Sequence, residues 1–279
     1  RSDEYHWLRD DTRTDPEVIA YANAENRFSK RRLSENESLE EAIYQEMVAR
    51  EPSADQGVPY KENDYFYSWL YENGEQYLRH TRRQDRKGAE TNVILNENEL
   101  AEDEEYFSLG SYDVSPDNRQ MVYTVDLSGR KIYQAHFKDL SSREVLQETL
   151  ENVSDDVVFS PDSKSVYYRK PDPLTLRGFR VFRHRLGTSQ SEDQMIYEEL
   201  EENYYLSLSR SRDNERVFVG HTSTLTIDAV LIDPSGKPLP ITDRELGHEY
   251  IISRVGDQFF IKTNWDAVNY RIMKVSEAD

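Results

Sequence analysis

The chain has 279 residues, 32% of them charged and 36% hydrophobic, with a formal net charge of -19 and no cysteine. That apolar content excludes a disordered chain and leaves room for one large core or two domains. The acidic balance argues against nucleic acid and anionic membrane as partners, and the missing cysteines exclude disulfides and thiolate chemistry and fit a reducing, cytoplasmic compartment. No apolar run approaches a membrane span and no signal peptide opens the sequence. The first residue is Arg1 rather than Met, so the start is expected to be trimmed or to lie inside a longer chain, and Asp279 reads as an unnatural place to stop.

The first segment, residues 1–57, reads as helical. Asp15 followed by Pro16 is a helix start, with Asp as cap and Pro at the first helical position. Val18, Tyr21, Ala22 and Phe28 fall on one face. Ser38-Leu39-Glu40-Glu41 reads as a capping box for a second helix, in which Leu39, Ile43 and Met47 stack at four-residue spacing before Pro52 ends it. Two amphipathic helices need an apolar surface to cover.

From residue 58 onward the pattern is β. The clearest unit, residues 112–146, has four short apolar runs separated by turns at Ser115-Pro116-Asp117-Asn118 and Ser128-Gly129. Its turn recurs as Ser160-Pro161-Asp162-Ser163, as Ser211-Arg212-Asp213-Asn214, as Val255-Gly256-Asp257, and in degenerate form at Glu62-Asn63-Asp64. The spacing is roughly 45 to 50 residues, the period of four-stranded propeller blades. The prediction is therefore an all-β fold, a β-propeller of about five recognisable blades over residues 58–279, preceded by two amphipathic helices.

Three connections carry further expectations. Asn73-Gly74 predicts a tight hairpin, and the acidic residues 97–105 read as a solvated linker that lacks the ligand pattern of a calcium loop. Pro171 and Pro173 exclude a ladder over residues 170–174, which predicts a projecting loop. The basic cluster Arg180, Arg183, His184 and Arg185 is expected to form internal ion pairs rather than an anion site. The fifth unit is expected to lack its last strand, leaving unpaired edges and uncovered sheet faces that favour association.

No chemistry-bearing motif appears. No two of the 11 glycines are four residues apart, so the nucleophile elbow is absent, as are the phosphate-cradling loop and the dinucleotide fingerprint. The six histidines, His6, His80, His136, His184, His221 and His248, stand singly, without a second ligand at metal spacing. No catalytic, cofactor-binding or metal-binding residue is assigned, and no cofactor.

The opening Asp3-Glu4-Tyr5-His6-Trp7-Leu8-Arg9-Asp10-Asp11 resembles the N-terminus of the prolyl oligopeptidase family of serine peptidases. So do Glu105-Tyr106-Phe107-Ser108-Leu109-Gly110 running into the Ser115 turn, and Tyr204-Tyr205-Leu206-Ser207-Leu208. His184 through Leu186-Gly187-Thr188, with Tyr197-Glu198-Glu199 beyond, is similar to the oligopeptidase B-like branch. Glu4 departs from the usual Pro or Asn, which touches a local turn.

The resemblance covers essentially the whole chain. It implies a seven-bladed propeller capping an α/β-hydrolase domain with a Ser-Asp-His triad that lies outside this sequence. It implies further that the helices pack on that domain and that short peptides are cut after Arg or Lys without a cofactor. Partners would be short cationic peptides and the chain's own C-terminal hydrolase domain, with no nucleic acid and no membrane. Tyr5, Trp7, Leu8, Glu72, Glu75 and Arg130 are candidate interdomain contacts, and this chain alone is expected to be inactive. The rival reading is a stand-alone propeller that binds proteins without hydrolysis; the N-terminal helices argue against it.

Overall fold

The fold begins as capping chemistry dictates. In the computed structural model, which describes residues 2–277, Asp15 accepts a hydrogen bond from the Glu17 backbone N–H and Pro16 opens α1 (Pro16–Leu33). A short 3-10 turn leads into α2 (Glu37–Val48). Here the expected capping box is not formed: Asn36 is the N-cap residue, without a side-chain bond, and Ser38 lies inside the first turn. The physical reason is continuity. Leu33 and Asn36 keep near-helical backbone angles, so α2 follows α1 with no extended residue to be capped. The expected stopping point, Asp279, lies outside the described residues.

The chain divides into two compact units, Arg1–Asp55 with Glu72–Gly74, and Gln56–Tyr71 with Glu75–Asp279. In the first unit no residue of either helix is buried. Ile19, Phe28, Leu33, Leu39, Ile43 and Met47 are all exposed, with Met47 at 64%.

The second unit is built from five antiparallel sheets. The first holds β1 (Asp55–Gln56), β2 (Tyr60–Glu62), β3 (Tyr65–Tyr71), β4 (Arg79–Gln84) and β5 (Thr91–Asn96). The second runs β6 (Ser108–Val114), β7 (Gln120–Asp126), β8 (Tyr133–Asp139) and β9 (Val145–Val153), in that order. The third is β10 (Val157–Phe159), β11 (Ser165–Pro171), β12 (Gly178–Arg185) and β13 (Gln194–Glu198). The fourth is β14 (Tyr205–Arg210), β15 (Val217–Thr222), β16 (Ile227–Ile232) and β17 (Pro238–Pro240). The fifth has three strands, β18 (Tyr250–Val255), β19 (Gln258–Thr263) and β20 (Arg271–Ser276).

The repeated turn has one chemistry. Ser115, Ser160 and Ser211 each donate their hydroxyl to the Asp two residues on, at 2.6 Å. Each also accepts the backbone N–H five residues on, at 2.9, 3.0 and 2.9 Å. Asn118, Ser163 and Asn214 take the left-handed conformation that closes the turn, and Gly256 does so in the fifth sheet.

Packing follows from strand period. Successive side chains point to opposite faces, and sheets stacked on both sides bury both faces. Val157 and Phe159 pack with Val122, Phe137 and Leu150 of the second sheet. Val158, between them in sequence, packs with Leu206, Val217 and Val230 of the fourth. Tyr67, Ile94 and Leu95 join Met121, Tyr123 and Val125, while Phe218 and Leu231 join Phe259. The central strands therefore read as continuous apolar runs.

Several connections differ from expectation. The β3–β4 hairpin carries a seven-residue loop, 72–78, in which Gly74 takes φ 89°, so Asn73-Gly74 is not a two-residue turn. Residues 97–100 form α3 (Glu97–Leu100), capped by Asn96, and Glu97 is buried rather than solvated. It points inward because its carboxylate meets His80 Nε2 at 2.7 Å. Pro171 pairs with Gly178 across a bulge, so the ladder reaches one proline and the projecting loop begins at Asp172. A terminal position beside a bulge tolerates the missing N–H.

Candidate functional site

The inner strands are the place where this fold gathers charge. β10 packs against β6 and β14, which sets the first strands of neighbouring sheets side by side around the inside of the array. From that surface Arg210 forms ion pairs with Asp113, 97 residues away, and with Glu62 at 3.6 Å. Asp113 also accepts the Phe159 N–H at 2.7 Å, tying the second sheet to the third. Asp156 repeats the device one sheet on, accepting the Leu208 N–H at 2.8 Å while Arg169 bridges Asp155 and Asp156.

Burial pushes the Asp113 carboxyl above its ordinary range against the pull of Arg210, and pushes Asp156 up against Arg169. Glu62 is raised as well, by burial and then by the nearby Asp113. Tyr60, Tyr67 and Tyr112 line a cavity of about 370 Å³ with Glu62 and Asp113. Burial pushes the Tyr67 phenol up to about 12, so it stays a neutral hydrogen-bonding group at physiological pH.

A second network joins the third and fourth sheets. Arg244 donates to Glu199 at 2.8 Å and to Asp228 at 2.6 Å, and Asp228 bonds His221 Nδ1. Burial raises both carboxyls, but hydrogen bonds from Arg244, and from His221 to Asp228, outweigh it and hold both low. Arg254 plays the same part between the fourth and fifth sheets, through Asp213 at 2.7 Å and Glu277.

The histidines resemble catalytic dyads on paper and are not. His184 has both ring nitrogens taken, by Asp193 at 2.7 Å and Glu148 at 2.8 Å. His221 Nε2 is buried without a hydrogen-bond partner, with Glu199 4.0 Å away and the Tyr197 ring beside it. His248 meets the Thr263 hydroxyl at 2.8 Å, but among the described residues no third group orients it as a base. No cluster of three metal-ligating groups exists among the described residues. In the basic cluster on β12, Arg180 pairs with Glu198 as expected, whereas Arg183 donates to the neutral Ser165 hydroxyl.

The six candidate contact residues fall in two groups. Tyr5, Trp7 and Leu8 are contiguous around a 3-10 turn, with Tyr5 70% exposed and Trp7 edge-on to Tyr21 at 5.3 Å. Glu72 is exposed in the β3–β4 loop, and Glu75 is half-buried against Arg79 at 2.6 Å. Arg130 is half-buried after the Gly129 turn, its Nε buried without a hydrogen-bond partner. Glu62, Asp113, Asp156, Arg169, Arg210 and Arg244 were not among the candidates. For Asp113, Arg169 and Arg210 the available signal was a charged residue on a largely apolar strand, which requires a partner; Asp156 and Arg244 lie between strands and gave no such signal.

Comparison with known proteins places this architecture. A family model described as the prolyl oligopeptidase N-terminal beta-propeller domain matches residues 1–279. Dipeptidyl aminopeptidase BI of Pseudoxanthomonas mexicana is 35% identical, the match covering 98% of this chain and 40% of that protein. Protease 2 of Moraxella lacunata is 29% identical over 98% of this chain and 41% of its own. The solved structure of oligopeptidase B from Leishmania major superposes with a TM-score of 0.90 at 26% identity, covering all of this chain and 40% of that one. Oligopeptidase B from Trypanosoma brucei, in a closed form with covalently bound antipain, gives 0.87 at 27%, with 100% and 40% covered. The chain thus spans about two fifths of the length of these relatives.

Proposed function

The chain belongs to the prolyl oligopeptidase family, as its N-terminal β-propeller region of the oligopeptidase B-like kind, and from that premise we propose that it serves as size filter and lid. In this reading residues 58–279 cover an α/β-hydrolase domain and residues 1–57 pack on that domain. The whole protein cleaves short peptides after Arg or Lys, in the cytoplasm. This chain alone does not hydrolyse.

The observation that carries the reading is the helical segment. Neither helix buries a residue, yet both present large apolar side chains to solvent. Each Leu, Ile, Met or Phe covered by a partner contributes about 1.5–3 kcal/mol, so the segment fits a docking element. Tyr5, Trp7 and Leu8 would extend that contact, and Glu72, Glu75 and Arg130 are separate candidate contacts with the same domain.

The net charge of -19 and the carboxylates of the inner strands favour cationic peptides. Such steering is an ionic-strength effect on association. The test is a panel of short peptides differing at the residue before the scissile bond, given to the full-length protein at rising salt. Selective cleavage after Arg and Lys, with kcat/KM falling as salt rises, is the expected result. Equal cleavage after neutral residues, or indifference to salt, would sink the cationic reading.

A second reading is favoured by the 35% identity to a relative named dipeptidyl aminopeptidase BI. There the products are dipeptides released from a free amino terminus. Comparing free and N-acetylated peptides separates the two, because blocking the amine abolishes dipeptide release and spares internal cleavage.

A further inference from the structure

We propose that the cavity between the first and second sheets is a binding site for a small polyanion, a molecule with at least two anionic groups such as a condensed phosphate or a polycarboxylate. The cavity measures about 430 Å³, within the range of small-molecule sites. Arg82, Arg86, Lys138 and Arg143 line it, with Glu90 the single carboxylate among the lining residues.

The argument rests on how these cations are held. In a chain with 54 Asp and Glu against 35 Lys and Arg, a basic side chain readily finds a carboxylate. Arg169, Arg210, Arg244 and Arg254 all do. Those of this cavity instead meet neutral acceptors. Arg82 donates to the Asn118 carbonyl at 3.0 Å and lies over the Tyr65 ring, 4.4 Å from its centre. Lys138 donates to the Ile94 carbonyl at 2.9 Å, and Arg143 to Asn92 Oδ1 at 2.8 Å. Arg86 has no ion pair among the described residues.

Carbonyl and amide anchors fix the positions of these groups without cancelling their charge. Arg and Lys have further N–H groups beyond those anchors, enough to bind anionic oxygens. Burial lowers the Lys138 pKa, with Glu99 opposing and Arg143 reinforcing the shift. An incoming anion would relieve that cost. Four cations spread over two sheets suit several anionic groups better than one.

The test is calorimetric titration of the full-length protein with pyrophosphate and, separately, citrate, each against sodium chloride of matched ionic strength. Saturable binding of either anion, above the chloride control, is expected. Preference between the two identifies the ligand as phosphate or carboxylate. Lys138→Gln and Arg143→Gln should each weaken it by about tenfold or more, the loss expected for a hydrogen bond to a charged group. Arg180→Gln, whose guanidinium pairs with Glu198, should leave it unchanged. Arg86→Gln and Arg143→Gln alter exposed side chains, so they report even if the half-buried Lys138 variant misfolds. No binding of either anion above the chloride control, or equal weakening by Arg180→Gln, overturns the proposal.

Discussion

The helical segment and the third sheet obey the same rules with opposite results. Val157, Val158 and Phe159 occupy three consecutive positions, all buried, because sheets lie on both sides of their strand. Leu39, Ile43 and Met47 repeat just as regularly and are all exposed. An apolar pattern in sequence therefore states a demand for burial, and whether it is met depends on what else is present. The sheets meet most of it among themselves. The helices do not.

Large-to-small substitution should expose that contrast most strongly. Phe159→Ala, at a side chain with no exposure, is expected to cost about 3–5 kcal/mol in urea unfolding. Phe28→Ala, at 53% exposure, should change the stability of the 279-residue chain by less than about 0.5 kcal/mol. Comparable losses at both sites would break the comparison.

Two serines sharpen it at smaller scale. Ser160 is buried and bonds Asp162 and the buried Ser165 backbone, so Ser160→Ala should cost about 1–3 kcal/mol by leaving the Ser165 backbone N–H unsatisfied. Ser38 has no capping role, and Ser38→Ala should be neutral to the same measurement. A loss at Ser38 matching that at Ser160 would mean that the cap forms after all.

These serines also show what the sequence could and could not reveal. The Ser-x-Asp turns were legible because every partner lies within five residues, and local hydrogen bonding needs no tertiary context. Ser38 misled for the same reason: the Ser-x-x-Glu spelling is local, but the continuous helical path that overrides it is not. Glu97 read as solvated linker, and its burial depends on His80 in another strand. Asp113 and Arg210 are 97 residues apart and meet only because β10 of the third sheet packs against both of their strands. The family was legible from motifs, whereas the charged inner strands needed the register, including the bulge between Leu109 and Tyr112.

The smallest predicted effect concerns pH. The Asp228 carboxyl is held below its unfolded value of 3.8, so its contribution is fully present above that value and is lost as pH falls through the lower folded one. Asp228→Asn should therefore be less stable than wild type at neutral pH, with the difference shrinking below about pH 4. A deficit that stays constant down to pH 2 would contradict an ionised Asp228 carboxylate held by Arg244.

The central claim is that the helices are a docking element for a domain outside these residues. Hydrogen exchange over α1 and α2, compared between the full-length protein and the 279-residue chain, tests it most directly. The account predicts slow exchange in the full-length protein and fast exchange in the chain alone, with the third sheet protected in both. Equal exchange of the helices in the two proteins would contradict it.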